Sequence, residues 1–253
     1  MNPLSVAILA GGLATRLGAL ACETPKCLLE VAGRPFIHHQ LASLRDHGIV
    51  RVVLCIGHLG ERVVDTVGDG SSYGLETVYS FDGPQLKGTA GALKRALPLL
   101  SSPFFVLYGD SYLECDYKAI QAAHDAARKL SLMTVFRNDD EWDTSNVEFR
   151  HGQILAYDKC HRTNRMRYID YGLGVFHHRA FNAVAESGSC DLATIYQRLL
   201  GAGELAGYEV SQRFYEIGSV AGLKETRKRL SQRQGVEANI AGGGHDAFST
   251  VLG

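Results

Sequence analysis

Three short apolar segments, each followed at once by glycine, limit the folds that this chain can adopt. They are Ser5–Ala10, Arg51–Ile56 and Pro103–Tyr108. A run without polar alternation fits a strand that is buried on both faces, as in a parallel sheet. Helical segments lie between these runs, for example from Pro35 to His47 and from Thr89 to Leu100. Strands that alternate with helices at this spacing predict an α/β fold with a mostly parallel sheet and helices on both sides.

The pattern changes after residue 130. Residues 146–157 have the alternation of an antiparallel hairpin that turns at His151–Gly152. No linker separates the two parts, so residues 1–231 are expected to form one domain with halves at 1–130 and 131–231. Residues 232–253 lack hydrophobic periodicity and are expected to form a C-terminal tail.

Charge and cysteine usage exclude several classes of protein. Lys and Arg total 26 against 27 Asp and Glu, so the formal net charge is -1. This balance gives no broad basic surface, and we expect neither a nucleic-acid nor a membrane partner. The six cysteines are scattered without a C-x-x-C pair, and the N-terminus lacks signal-peptide features. We therefore expect a cytoplasmic protein with reduced thiols.

The loop after the first apolar run has the composition of a polyphosphate site. Gly11 and Gly12 let backbone N–H groups approach phosphate oxygens closely, and Arg16 and Lys26 supply cations. The spacing fits neither a P-loop nor the dinucleotide fingerprint G-x-G-x-x-G. The alternative is that the glycine pair only makes a tight turn.

The same loop resembles the signature of the sugar-1-phosphate nucleotidyltransferases. The resemblance rests on Leu9–Leu17, read as L-A-G-G-L-A-T-R-L, and on Thr24-Pro25-Lys26. Four further blocks resemble family motifs in order and spacing, and together the matches extend from residue 4 to about 230. These blocks are Leu86–Gly91, Tyr108–Asp110, Tyr157–Lys159 and Glu216–Ser219. Three residues depart from the family pattern: Ala14 replaces glycine, Asp158 replaces glutamate and Glu216 replaces aspartate.

The resemblance implies a Rossmann-like three-layer sandwich in which residues 1–130 bind nucleotide and 131–231 bind sugar phosphate. It also implies roles for individual residues. Catalysis would use Arg16, Lys26 and Asp110. Nucleotide contacts would come from Leu9, Ala10, Gly11, Gly12, Gly88, Thr89 and Gly109. Sugar-phosphate contacts would come from Asn146, Asp158, Lys159, Tyr171 and Gly172, and Asp110 and Glu216 would hold Mg²⁺.

Each of these assignments has a structural alternative. Asp110 could cap a loop turn, and Lys159 could be a solvated hairpin charge. Glu216 could pair with Arg213 or Lys224. Tyr171 could be a packing residue rather than a stacking platform. The sequence leaves these alternatives open.

The activity implied by the resemblance is transfer of a nucleotidyl group from a nucleoside triphosphate to a sugar 1-phosphate, with release of pyrophosphate. The loop at Gly88–Gly91 resembles that of guanylyltransferases, so we expect GTP and a manno-configured hexose or heptose 1-phosphate. One alternative is a UTP-dependent enzyme for a sugar or amino-sugar 1-phosphate. Another is a catalytically silent subunit that binds a nucleotide sugar. The protein could also form a homo-oligomer.

Overall fold

The computed structural model describes residues 3–12, 24–83, 85–185 and 188–242. In these residues we number thirteen strands and six α-helices in chain order. The strands are β1 (Val6–Leu9), β2 (Glu30–Val31), β3 (Arg34–Pro35), β4 (Arg51–Ile56), β5 (Glu76–Phe81), β6 (Phe104–Tyr108), β7 (Ser111–Tyr112), β8 (Ser131–Arg137), β9 (Val147–Arg150), β10 (Gln153–Tyr157), β11 (Tyr168–Phe176), β12 (Leu205–Val210) and β13 (Tyr215–Glu216). The helices are α1 (Phe36–Asp46), α2 (Gly60–Val67), α3 (Gly88–Ala96), α4 (Tyr117–Ala127), α5 (Leu192–Gly201) and α6 (Val220–Gly242).

Nine strands form one mixed sheet. Seven of them follow the order β10-β9-β11-β6-β1-β4-β5, while β8 pairs with β11 and β12 pairs with β8. The strands β6, β1, β4 and β5 are parallel, and β11 runs antiparallel to β6. The predicted α/β architecture with a mixed, mostly parallel sheet is confirmed. Among the described helices, none has the length and apolar character that crossing a bilayer requires.

Strand β1 shows why continuous apolar runs predicted buried strands. Val6 and Ile8 pack into the core on one face of the sheet, and Ala7 packs into the core on the other. All three side chains are fully buried. Alternate side chains of a strand point to opposite faces, so only a sheet with helices on both sides can bury such a run.

The hairpin between β9 and β10 turns at the predicted residues. His151 and Gly152 both have positive φ values, of 51° and 75°. Two consecutive residues with positive φ form the turn whose twist matches that of the flanking strands.

The last helix is longer than the sequence pattern predicted. We expected a C-terminal tail without periodicity from residue 232, whereas α6 continues to Gly242. The start of this extension is held by polar contacts, since Arg233 Nη1 donates to the Tyr112 hydroxyl oxygen at 2.6 Å and Gln234 Nε2 donates to the Ala32 carbonyl oxygen at 3.2 Å. Hydrophobic periodicity does not report such contacts.

Two small ribbons form separate two-stranded sheets, and one of them carries the predicted site residue Glu216. β2 pairs with β3, and β13 pairs with β7 so that Glu216 lies opposite Ser111. The Ile217 N–H also donates to the carbonyl oxygen of Asp110 at 2.9 Å. The segment that leads into α6 is thereby held against the end of β6.

We predict that Gly109→Ala destabilises the fold. Gly109 directly follows β6, and an added Cβ would lie 2.6 Å from the Leu9 carbonyl oxygen and 3.0 Å from Ala10 Cα. Because backbone atoms block the methyl group, the free energy of unfolding should fall by about 2 kcal/mol, measured by urea denaturation. Gly201→Ala in α5 is the matched control, since no atom lies within 4 Å of its added Cβ. Equal stability of the two variants would contradict this packing.

Candidate active site

A cavity of about 260 Å³ opens at the carboxyl ends of β1 and β6. From β1 the chain continues to β4, which pairs with one side of β1. It later returns to β6, which pairs with the other side of β1. Ligands of open α/β sheets bind in the crevice where the strand order reverses in this way. The cavity is lined by every residue predicted to contact nucleotide, namely Leu9, Ala10, Gly11, Gly12, Gly88, Thr89 and Gly109.

Lys26 and Asp110 form an ion pair at one end of this cavity. Lys26 begins a 3₁₀ turn after Pro25, and Asp110 follows β6 by two residues. The Lys26 Nζ and Asp110 Oδ2 atoms are 2.9 Å apart, and both side chains are partly exposed. The Asp110 carboxylate therefore contacts the Lys26 ammonium, so the cavity wall carries a negative and a positive group side by side.

The Glu216 side chain lies beside this ion pair. Its Oε2 atom accepts the N–H groups of Gly218 and Ser219, and its Oε1 atom accepts the Ser219 hydroxyl at 2.5 Å. A Cβ added to Gly218 would lie 2.8 Å from Glu216 Oε2, 3.0 Å from Asp110 Oδ2 and 3.5 Å from Lys26 Nζ. The two carboxylates and the ammonium therefore converge on one glycine.

Arg213, which we considered as an alternative partner for Glu216, has a different contact. Its Nη2 atom lies 2.7 Å from Glu225 Oε2, and its guanidinium group stacks 3.4 Å above the Trp142 ring. The described contacts of the Glu216 carboxylate are instead with the loop that joins β13 to α6.

Three predicted sugar-phosphate residues lie around Asp170 in β11, two of them acting on its carboxyl group and one on its backbone N–H. Asp170 Oδ1 accepts the Gly172 N–H at 3.1 Å, and the Asp170 N–H donates to Asn146 Oδ1 at 3.0 Å. Lys159 Nζ lies 5.5 Å from the centroid of the Tyr108 ring, and its charge acts on the Asp170 carboxylate. Burial raises the pKa of Asp170, and the nearby Lys159 ammonium offsets part of that rise.

Tyr171 and Asp158 are placed differently from what the resemblance implied. The Tyr171 ring is 1% exposed and packs in the core against Phe136 and Phe214. The Asp158 carboxylate accepts the backbone N–H groups of Cys160 and His161, which lower its pKa. The structure does not bring these two side chains together with Lys159 and Asn146. Arg16 and Ala14 lie outside the described residues.

Two carboxyl groups at the site were not singled out from the sequence. One is Asp170. The other is Asp82, which follows β5, lines the cavity with Leu86 and Gly88, and is 6% exposed. The Lys87 N–H approaches Asp82 Oδ2 at 3.4 Å, and burial raises the pKa of the Asp82 carboxyl group. The sequence does contain a signal for Asp82, because this residue follows a parallel strand, as Asp110 does.

Within the described part of the chain, no group of three or more His, Cys, Asp or Glu residues is arranged to hold a metal ion. Asp110 and Glu216 are thus a pair of oxygen donors, and a cation held by them would complete its coordination with oxygens from ligand or water.

This chain is similar to known proteins in sequence and in fold. The family model described as nucleotidyl transferase matches residues 5–231. The N-acetylmuramate alpha-1-phosphate uridylyltransferase of Neisseria meningitidis is 28% identical over 87% of this chain and 95% of its own length. The mannose-1-phosphate guanyltransferase 2 of Candida glabrata is 39% identical over 46% of this chain and 33% of its own length. This chain therefore matches about a third of that longer relative.

A solved structure shares the fold. HddC from Yersinia pseudotuberculosis, complexed with GMP-PN, superposes with a TM-score of 0.75 over 90% of this chain and 99% of that one, at 20% identity. The family match covers both halves of the sheet and every site element described above. The chain therefore belongs to the nucleotidyl transferase family and is a sugar-1-phosphate nucleotidyltransferase, as its motifs predict.

Proposed function

We propose that this enzyme transfers a guanylyl group from GTP to a manno-configured hexose or heptose 1-phosphate, forming a GDP-sugar and pyrophosphate. The observation that carries the choice of base is the Asp82 carboxyl group in the cavity wall. Mannose-1-phosphate guanyltransferases among the relatives support both the base and the sugar. The uridylyltransferase relative makes UTP the competing substrate.

The chemistry of the bases explains why a carboxylate favours guanine. Guanine presents two adjacent donors, N1–H and the N2 amino group, and an ionised carboxylate has only acceptors. The two can therefore form paired, charge-assisted hydrogen bonds. Uracil presents one N–H between two carbonyl oxygens, and a carboxylate repels those oxygens. Asp82 would thus bind guanine and discriminate against uracil.

The glycine loop and the Lys26 ammonium, which line the same cavity, suit the triphosphate. The backbone N–H groups near Gly11 and Gly12 and the Lys26 ammonium would bind phosphate oxygens, as would Arg16. An oxygen of the sugar phosphate attacks the α-phosphorus, and the bond to the pyrophosphate oxygen breaks. The second pKa of a phosphate monoester is about 6, so the attacking group is already ionised and needs no general base. Catalysis then depends on alignment and charge neutralisation.

The group around Asp170 would bind the acceptor. Lys159 would hold the sugar phosphate, the Asp170 carboxylate would accept hydrogen bonds from sugar hydroxyl groups, and the Asn146 amide nitrogen would donate to them. A carboxylate with a hydroxyl-binding role need not be fully solvated, which is consistent with the burial of Asp170. Tyr171 is not part of this proposal because its ring is packed in the core.

The residues beside Gly218 fit Mg²⁺. Asp110 and Glu216 supply hard oxygen donors from two separate segments, and their approach to one glycine leaves no room for a side chain between them. Bound there, Mg²⁺ would neutralise charge on the reacting phosphates. Lys26 already holds the Asp110 carboxylate in place, and the Gly218 and Ser219 N–H groups hold that of Glu216.

We predict that Lys26→Ala lowers kcat/KM by about 100-fold or more, because a cation beside the reacting phosphates is lost. The fold should persist, since Lys26 is partly exposed and outside the main core. Steady-state kinetics and urea denaturation measure the two effects. Lys118→Ala, at an exposed position of α4, is the control. Near-normal turnover of a folded Lys26→Ala enzyme would remove Lys26 from the site.

We predict that Asp82→Asn changes the choice of nucleotide. Its amide group places a donor against the guanine donors, so kcat/KM for GTP should fall by about 100-fold. The value for UTP should stay constant or rise, because the amide can donate to a uracil carbonyl oxygen. The measurement is pyrophosphate release with each of the four triphosphates and a panel of sugar 1-phosphates. Asp65→Asn, at an exposed position of α2, should change neither value.

The pH dependence gives a second readout for Asp82. Its raised pKa means that acidification protonates the carboxyl group and removes an acceptor. The KM for GTP should therefore rise as the pH falls through that pKa, and the Asp82→Asn enzyme should lack this component. A wild-type enzyme that prefers UTP would overturn the GTP proposal. A protein that binds nucleotide sugars but releases no pyrophosphate with any triphosphate would be the silent subunit.

A further inference from the structure

Two helix N-termini, one from each half of the chain, are joined beside the cavity. α3 begins at Gly88 and α5 begins at Leu192. The Leu192 N–H donates to Thr89 Oγ1 at 2.7 Å, and the Ala90 N–H donates to the Cys190 carbonyl oxygen at 2.9 Å. First-turn N–H groups of a helix need acceptors from outside that helix. Here each helix start obtains one from the segment that begins the other.

The contact is extended by the backbone on both sides. The Cys190 N–H donates to the Lys87 carbonyl oxygen at 2.9 Å. Gly88 has a φ of +70°, and a Cβ there would lie 2.5 Å from the Cys190 carbonyl oxygen and 2.7 Å from Ser189 Oγ. The two segments thus touch backbone to backbone. We call this contact, formed by Lys87–Ala90 and Ser189–Leu192, the α3–α5 junction.

The junction lies where the nucleotide base would bind. Gly88 and Thr89 line the same cavity as Asp82 and Leu86. The Thr89 hydroxyl oxygen, however, already accepts the Leu192 N–H. Asp191 strengthens the other side of the junction, because its Oδ1 atom accepts the Ala193 N–H at 2.7 Å and caps α5. The Thr89 hydroxyl group therefore serves the contact between the halves.

We propose that Thr89 is a positioning residue, whose hydroxyl group fixes the α3–α5 junction and thereby holds the loop at Gly88 in the conformation that binds the nucleotide base. This inference rests on the proposed placement of the base against that loop. It assigns Thr89 no contact that distinguishes one base from another. Loss of the hydroxyl group should accordingly weaken the binding of every triphosphate by the same factor and leave the chemical step unchanged.

The test compares Thr89→Val with Thr89→Ser. Valine keeps the shape and removes the acceptor of the Leu192 N–H, so the KM values for GTP and for UTP should both rise about tenfold, the effect of one lost hydrogen bond. The value of kcat and the KM for the sugar 1-phosphate should change by less than about twofold. Serine keeps the hydroxyl group and should restore both triphosphate KM values. Cys190→Ala is the control, because the hydrogen bonds between the two segments use the backbone atoms of Cys190, while its Sγ atom contacts the Asp191 carbonyl oxygen within its own segment.

Two results would overturn the proposal. One is an unchanged KM for the triphosphates in Thr89→Val. The other is a rise that differs between GTP and UTP, which would mean that Thr89 contacts the base directly. An enzyme that prefers UTP would overturn the GTP proposal and leave the proposal for Thr89 intact. The junction test compares the factor by which the KM rises for GTP with the factor for UTP, and this comparison does not depend on which triphosphate is preferred.

Asp191→Ala tests the junction from the α5 side and covers the case in which Thr89→Val does not fold. It should raise both triphosphate KM values by a common factor. In the wild-type protein, triphosphate binding should also slow amide hydrogen exchange across residues 189–193. An exchange rate across residues 189–193 that does not change when triphosphate binds would contradict a coupling through the junction. An Asp191→Ala enzyme with wild-type KM values would contradict it as well.

Discussion

The parallel pairing of β1 with β6 determines where everything else in the site lies. It sets Leu9 beside Tyr108, and the Gly109 N–H then donates to the Leu9 carbonyl oxygen at 3.0 Å. The loop with Gly11 and Gly12 and the turn with Asp110 are thereby brought to one sheet edge, although about a hundred residues separate them in sequence. Only glycine fits at position 109, because the Leu9 carbonyl oxygen occupies the space of a Cβ.

The charged groups near the carboxyl ends of β1 and β6 come from separate segments of the chain and are each paired or hydrogen-bonded. The Asp110 carboxylate contacts the Lys26 ammonium, and the Glu216 carboxylate takes hydrogen bonds from its own loop. Groups that are oriented by such contacts before substrate arrives can stabilise developing charge without reorganisation. Both carboxylates come to the site by backbone pairing, since β13 pairs with β7 and the Ile217 N–H donates to Asp110.

The sequence predicted the parallel strands and the cavity wall well, because buried strands leave continuous apolar runs and their glycine ends mark close backbone contacts. In the second half it predicted the β9–β10 hairpin and its turn at His151–Gly152. It did not predict that the Tyr171 ring packs in the core against Phe214, because that contact depends on the tertiary fold. Asp82 follows the carboxyl end of a parallel strand, as Asp110 does, so the same position relative to a strand predicts both residues as site residues. The role of Thr89 at the junction depends on residues about a hundred positions away and on no local pattern.

In the proposed complex, Asp110 and Glu216 hold the metal ion and Asp82 faces the base. A crystal structure with GDP-sugar and Mn²⁺ in place of Mg²⁺, analysed by anomalous scattering, would locate all three side chains relative to their ligands. We expect a manganese peak bound to oxygens of both Asp110 and Glu216 and a guanine edge against the Asp82 carboxylate. A peak bound to Asp110 alone, with Glu216 still held only by Gly218 and Ser219, or a base that does not approach Asp82, would contradict it.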